Sequence, residues 1–231
     1  MSLREKFLAT VAVVLLGMLV VLLLTAIFRD GHEEVPTQAD SPIPEERLRA
    51  INSLAGKPSE QGDGVLLAAM RDPDPRVAAR AVRVVGRWTH RDNVPLLKRA
   101  LRDSRAPVRA AAAAALGKFR LRDRVDAVVL TGLLDDAREI PEVRAAAARS
   151  LGRMRIWAAM PSLINALEDP NPTVRGRAGA AVRRILGVDF GFRANASLAD
   201  RARAVAEIRS CWRGFRQAHL AYLKRLEEQR R

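Results

Sequence analysis

Hydrophobic and polar positions alternate in three distinct ways along the 231 residues. Residues 8–28, "LATVAVVLLGMLVVLLLTAIF", hold 21 positions without a charge. A helix rising ~1.5 Å per residue would carry that run about 30 Å, the thickness of a bilayer's hydrocarbon core. A buried core helix of that length would show a polar face. A cleavable signal peptide has an apolar stretch of only about 7–15 residues and a small-residue cleavage site, and no Ala-x-Ala closes this one. We therefore expect an uncleaved transmembrane anchor at 8–28, after a short N-terminal segment, 1–7. Residues 29–44, with Pro36, Pro42 and Pro44, predict an extended, disordered spacer.

From residue 45 to residue 187 the pattern becomes helical and repeats itself. "DPDPRVAARAVRVVG" (72–86) aligns without a gap on "DSRAPVRAAAAAALG" (103–117), and "EIPEVRAAAARSLG" (139–152) and "DPNPTVRGRAGAAV" (169–182) follow the same template. Val77, Val108, Val143 and Val174 mark the register, 31, 35 and 31 residues apart. Gly86, Gly117 and Gly152 each stand nine residues after their valine, where they would close a helix; the fourth helix is expected to run on to Gly187. Before each turn lies another apolar segment: "GVLLAAM", "VPLLKRAL", "VDAVVLTGLL" and "MPSLINAL". Each unit is thus a helix A, an Asp/Pro turn and a helix B. The prolines stop the first helix and help start the second, while the aspartates cap it.

The third regime is the tail, 188–231. Ser197 and Asp200 have the spacing of a capping box. Val205, Ile208, Trp212, Phe215, His219 and Tyr222 then line one face of a long helix. A repeat array needs its open end covered, and we expect this segment to do it.

Charge adds a second pattern to the first. Formal net charge is +14, and only five of the 40 cations are lysines. Counted from each marker valine, positions −1, +3, +6 and +10 form one helix-B stripe. It comprises Arg76, Arg80, Arg83 and Arg87 in the first unit and Pro107, Ala111, Ala114 and Lys118 in the second. The third has Glu142, Ala146, Arg149 and Arg153, and the fourth Thr173, Arg177, Ala180 and Arg184. The +10 position is basic in every unit. A cation there complements the helix dipole by about 0.3–1 kcal/mol. Stacked units would also align these residues into a basic track suited to an acidic partner.

The repeated template resembles the HEAT repeat family, in the short bacterial form known as HEAT-like or PBS-lyase-type repeats; "PSLINALEDPNPTVR" (161–175) carries the resemblance most closely. It spans about residues 64–187, with "PIPEERLRAINSLAG" (42–56) as a degenerate half-repeat in front. The tail, "ILGVDFGFRANASLADRARAVAEIRSCWRGF" (185–215), resembles the terminal segment of bacterial membrane-anchored HEAT proteins. The resemblance implies an all-α superhelix, with helix B usually on its concave side. It also implies a ladder in which a turn aspartate and a helix-B arginine bond along the stack. Asp103 with Arg109, and Asp169 with Arg175, match that spacing. Arg144 matches as the arginine with Asp136 displaced by the insertion, and the first unit has Ala78 where the arginine belongs.

Catalytic chemistry is not evident. His32, His90 and His219 form no pair at ligand spacing, and neither a P-loop, a Rossmann glycine pattern nor a serine nucleophile elbow occurs. The lone Cys211 allows no internal disulfide, Cys-pair redox motif or Cys-rich metal site. Some HEAT-repeat hydroxylases bind iron through His-Glu motifs within their repeats, and this chain has none there. We expect a membrane-tethered, non-catalytic scaffold without cofactor or small-molecule substrate, binding a protein partner along the helix-B track. One alternative is a nucleic-acid binder, since HEAT-like alkylpurine DNA glycosylases cradle DNA on a basic face; the export expected below argues against it. Another is a lyase- or hydroxylase-related enzyme or subunit.

Arg4 and Lys6 precede the apolar run, while 30–46 holds six acids and no Lys or Arg. Positive-inside logic leaves the N-terminus in the cytoplasm and exports the rest. A C-terminal fusion to a reporter that works only after export should therefore be active. Activity solely from a cytoplasm-dependent reporter would reverse the topology.

Overall fold

The computed structural model describes residues 37–56, 60–88, 91–119 and 124–229. The expected anchor, 8–28, and the first part of the spacer lie outside them. No helix among the described residues is long and apolar enough to cross a membrane. All regular structure among them is helical. Five helices form the B layer: α1 (Pro44–Ser53), α3 (Pro75–Val85), α5 (Ala106–Leu116), α7 (Pro141–Met154) and α9 (Pro172–Leu186). Facing them in the A layer are α2 (Glu60–Ala69), α4 (Val94–Ala100), α6 (Arg124–Asp135) and α8 (Met160–Asn165), and α10 (Leu198–Gln229) follows. Each A helix packs on the B helix after it, and each B helix on the next B helix along, which makes the fold a solenoid. The half-repeat at the front supplies α1 as a B helix, packed on α3. The spacer's end is ordered too, with a 3-10 turn at Thr37–Asp40 leading into α1.

Proline and aspartate build the hinges. Pro75, Pro107, Pro141 and Pro172 all lie in the first turn of their B helices, where a missing N–H costs nothing. Asp72, Asp103, Asp136 and Asp169 each accept the backbone N–H two residues on, at 2.8 to 2.9 Å. These Asx turns redirect the chain between the two helices. Asp74 and Asn171 then cap α3 and α9 by accepting from Arg76 N and Thr173 N.

Glycine sets the spacing of the B layer. A Cβ on Gly86 would stand 2.3 Å from Ala115 Cβ, one on Gly117 2.8 Å from Ser150 Cα, and one on Gly152 2.6 Å from Ala181 Cα. Backbones therefore meet directly at the C-terminal ends of α3, α5 and α7. Ser150 makes the contact specific, donating its hydroxyl to Ala113 O at 2.7 Å. The expectation that all three glycines end helices needs correction. Gly86 and Gly117 are C-caps with right-handed backbone, while α7 continues past Gly152 and stops at Arg155, in the left-handed region at φ 52°. Only the fourth helix ends on a left-handed glycine, Gly187 at φ 75°.

The far end is closed by two different elements. Loop 188–197 covers α9: Phe190 and Phe192 pack against the core, and Gly179 leaves the room for Phe192, whose ring would lie 2.7 Å from an added Cβ. Beside the A layer, α10 buries Ala204, Val205 and Ile208. The expected capping box is present, Ser197 Oγ accepting from Asp200 N at 3.1 Å and donating to its carboxylate at 2.7 Å. Trp212 is half-buried and Phe215 exposed, both against Trp157 with ring centroids 5.9 Å away. The side chains of His219 and Tyr222 lie outside the described residues.

Gly152→Ala should destabilise the fold by about 1–3 kcal/mol, the cost of overpacking against a backbone that cannot withdraw. Gly132, within α6, has nothing within 4 Å of an added Cβ. Gly132→Ala should instead stabilise by about 0.5–1 kcal/mol through helix propensity. Circular dichroism melts of both variants test the distinction; equal, small effects would mean the B helices are not held in backbone contact.

Candidate partner-binding face

Arginines in this domain fall into two populations, and hydrogen bonding separates them. The first builds a ladder along the turn edge. Arg47, Arg109 and Arg144 each occupy the fourth position of a B helix and reach the turn of the next unit. Arg47 donates to both oxygens of Asp72 at 2.6 and 2.8 Å, Arg109 to Glu139 at 2.7 and 2.8 Å, and Arg144 to Asp169 at 3.0 and 3.1 Å. Each also turns Nη1 back to a carbonyl of its own hinge: Ser41, Asp103 and Glu139 respectively. Arg175 continues the series without an acid, donating to Ala194 O in the closing loop and to Asp169 O.

These pairings correct the expected ladder. The Asp103 carboxylate pairs with Arg105, and Arg109 reaches only the Asp103 main-chain carbonyl. Asp136 stays in its own turn, and Glu139 takes the rung. The four extra residues of the third unit separate two tasks, Asx turn and rung, that Asp72 and Asp169 each perform alone. Where Ala78 lacks a guanidinium, Arg105 reaches back from the next unit to the carbonyls of Asp72 and Met70. Arg105 stands outside the template position, so alignment of the repeats does not find it. Arg47 was findable: Pro44 precedes it by three residues, as Pro141 precedes Arg144 and Pro172 precedes Arg175.

Burial decides which pairs matter. Asp72, Glu139 and Arg144 are all less than a tenth exposed. Removing one partner of such a pair leaves an uncompensated charge and costs about 3–5 kcal/mol. Exposed pairs such as Arg183–Asp189 are worth about 0–1 kcal/mol. The Arg109 guanidinium holds the Glu139 carboxyl below the usual glutamate range, against the opposing effect of burial.

The second population is the helix-B stripe. Arg76 is tied to Asp74 and Glu45, and Arg80, half-buried, donates to Asn52 on α1. Arg83, Arg87, Lys118, Arg149, Arg153, Arg177 and Arg184 are exposed and, among the described residues, make no ion pair or side-chain hydrogen bond. None of the +10 cations donates to a helix-terminal carbonyl. Burial, then Arg87, Arg153 and Arg149, push the Lys118 ammonium below the usual lysine value. Arg149 is lowered chiefly by Arg153, then by burial, Arg177 and Arg184. Cations from four units therefore act on one another in a single field. The glycine contacts cause this, because Arg87, Lys118 and Arg153 each directly follow a glycine where two B helices touch.

A cavity of ≈ 200 Å³ between α9, loop 188–194 and Ile208 is lined by small and apolar residues with Arg183, Asp189 and Arg193. Among the described residues no three His, Cys, Asp or Glu side chains are grouped to hold a metal.

An α-solenoid of paired helices with a repeated turn defines a class, and the sequence places this chain within it. The HEAT repeats family matches residues 63–140 and 138–210, so the chain belongs to that family. No curated protein matches it. Among solved structures it is similar to a chain in the complex of CpcE and CpcF of phycocyanin lyase from Nostoc sp. PCC7120, with 24% identity and a TM-score of 0.57 over 68% of this chain. The match spans 65% of that chain's length. It is also similar to an engineered protein, at 19% identity and a TM-score of 0.51, covering 77% of this chain and 96% of the other. At these identities the likeness is one of fold.

Glu139 gives the ladder a measurable signature. Its folded pKa is depressed below an ordinary value of 4.5, so its contribution is present above that pH and is lost as pH falls through the folded value. Glu139→Gln should lower stability at pH 7 and flatten the acid limb of a urea-unfolding series. Identical acid limbs in the variant and the native chain would remove Glu139 from the ladder.

Proposed function

We propose that this chain is a membrane-tethered, non-catalytic scaffold that binds an acidic protein partner along its helix-B face. One observation carries the reading: seven cations on that face stand exposed and unpaired among the described residues, while the arginines of the turn edge are engaged by carboxylates and carbonyls. Concentrating like charge costs stability, and an incoming polyanion relieves it. A stack of repeats also offers an extended surface on which one recognition unit recurs. The apolar run at 8–28 is the tether in this reading. The basic residues before it and the acids after it leave the repeats on the far side of the membrane from the N-terminus.

The test replaces Arg83, Arg87, Arg149 and Arg177 by Gln in the full chain. Arg80 is left in place because its bond to Asn52 joins α1 to α3. Crosslinked partner recovery from native membranes should fall at least tenfold at low ionic strength, with the melting temperature not lowered. Native recovery should fall similarly toward 1 M salt, where the Debye length is about 3 Å. A variant that recovers the same proteins equally well defeats the reading.

A further inference from the structure

Where α10 leaves the body, three aromatic rings meet and two of them face solvent. Trp157, in the turn after α7, is 45% exposed, and Phe215 is 44% exposed. The Trp157 ring lies 5.9 Å from both Trp212 and Phe215, tilted by 30° to the first and edge-on at 70° to the second. Arg155 leads the chain to Trp157 through its left-handed backbone, a conformation that costs a non-glycine residue energy. On α10, Val205 and Ile208 are buried, Trp212 is half-buried, and every residue from Arg213 to Ala218 is exposed. The helix runs on to Gln229. In the sequence the spacing of three and four continues through His219, Tyr222 and Leu226, so one apolar stripe passes from the body onto the part beyond it. A lone helix of this length is marginal in water, and an apolar stripe along it calls for a partner.

The charge beside the stripe selects that partner. From Ile208 to Leu226 the chain has Arg209, Arg213, Arg216, Lys224 and Arg225 and no Asp or Glu. Arg209 is engaged by Glu168 on the body. Arg213 and Arg216 are exposed and, among the described residues, make no ion pair. A second copy of α10 would set like charges together at the border of the seam, where charged pairs decide which helices associate. A bilayer meets a different obstacle. Val205 and Ile208 begin the stripe and face the A layer, so its continuation looks toward the same side as the body. A flat surface could not lie along it without entering the A layer. A single helix fits beside the body in that position.

We propose that Trp157, Trp212 and Phe215, with the stripe of α10 beyond them, seat an amphipathic helix of a partner protein whose apolar face is bordered by Asp and Glu. Trp157 closes one end of the seam, and Arg213 and Arg216 pair with the bordering acids. This surface lies on the A-layer side, separate from the helix-B stripe, so either can fail without the other.

The experiment uses the full chain in nanodiscs of uncharged lipid and two labelled peptides without tryptophan. Both carry three heptads with Leu at the a and d positions, bordered by Glu in one and by Lys in the other. Fluorescence anisotropy at low salt, against empty discs, should show the Glu-bordered peptide binding at least tenfold tighter. Phe215→Ser should weaken it at least tenfold, with the melting temperature not lowered. Arg213→Glu with Arg216→Glu should reverse the preference, which loss of folding cannot do. Equal binding of the two peptides, or binding of neither, overturns the proposal. A disulfide dimer through Cys211 in proteoliposomes, abolished by Phe215→Ser, would overturn it in favour of a second copy. Tryptophan quenching by brominated anionic lipid, abolished by the same change, would overturn it in favour of the bilayer.

Discussion

Direct backbone contact between successive B helices governs most of this structure. Gly86, Gly117 and Gly152 allow it because any side chain at those positions would occupy the space of Ala115, Ser150 and Ala181. The same contact brings the cation after each glycine toward its counterparts in neighbouring units. Packing and charge thus oppose each other at one place: close approach is favourable for the backbone and costly for Arg87, Lys118 and Arg153. A fold that only needed helix-terminal cations could have paired them with acids.

That edge has its own logic. A solenoid of short helices must keep each unit from rotating on the next, and bidentate guanidinium–carboxylate pairs resist rotation because both partners are planar. Arg47, Arg109 and Arg144 each clamp the next hinge in this way while satisfying carbonyls of their own. The series tolerates irregularity. Arg105 substitutes from the opposite direction where Ala78 interrupts it, Glu139 replaces an aspartate moved out of reach by insertion, and a backbone carbonyl ends it at Ala194. What is preserved is a donor bridging two hinges.

The ends illustrate how an array of repeats stops. At the front, α1 covers α3. At the back, an irregular loop occupies the place of a further B helix, and the first turns of α10 cover the A layer. Gly179 fits that loop: an added Cβ there would lie 2.7 Å from the Phe192 ring.

How much of this was legible in the sequence follows from which signals are local. Asp/Pro hinges, helix order, the capping box at Ser197 and the basic stripe depend on local spacing, and the repeat register on direct comparison of one unit with the next, so the sequence by itself determined them. It also contained the clue to Arg47, in the Pro-x-x-Arg spacing shared with Arg144 and Arg175. The pairings across units were a different matter. Arg109 meets Glu139 thirty residues on, and Asp136 does not, because a four-residue insertion changes where the hinge presents its carboxylate. Arg76 and Arg80 leave the free track for Glu45 and Asn52, partners supplied by α1. The glycines read as helix stops but act as contact points. Only the tertiary structure decided these, since each depends on the distance and rotation between neighbouring units, which packing of the assembled core sets and no single unit encodes.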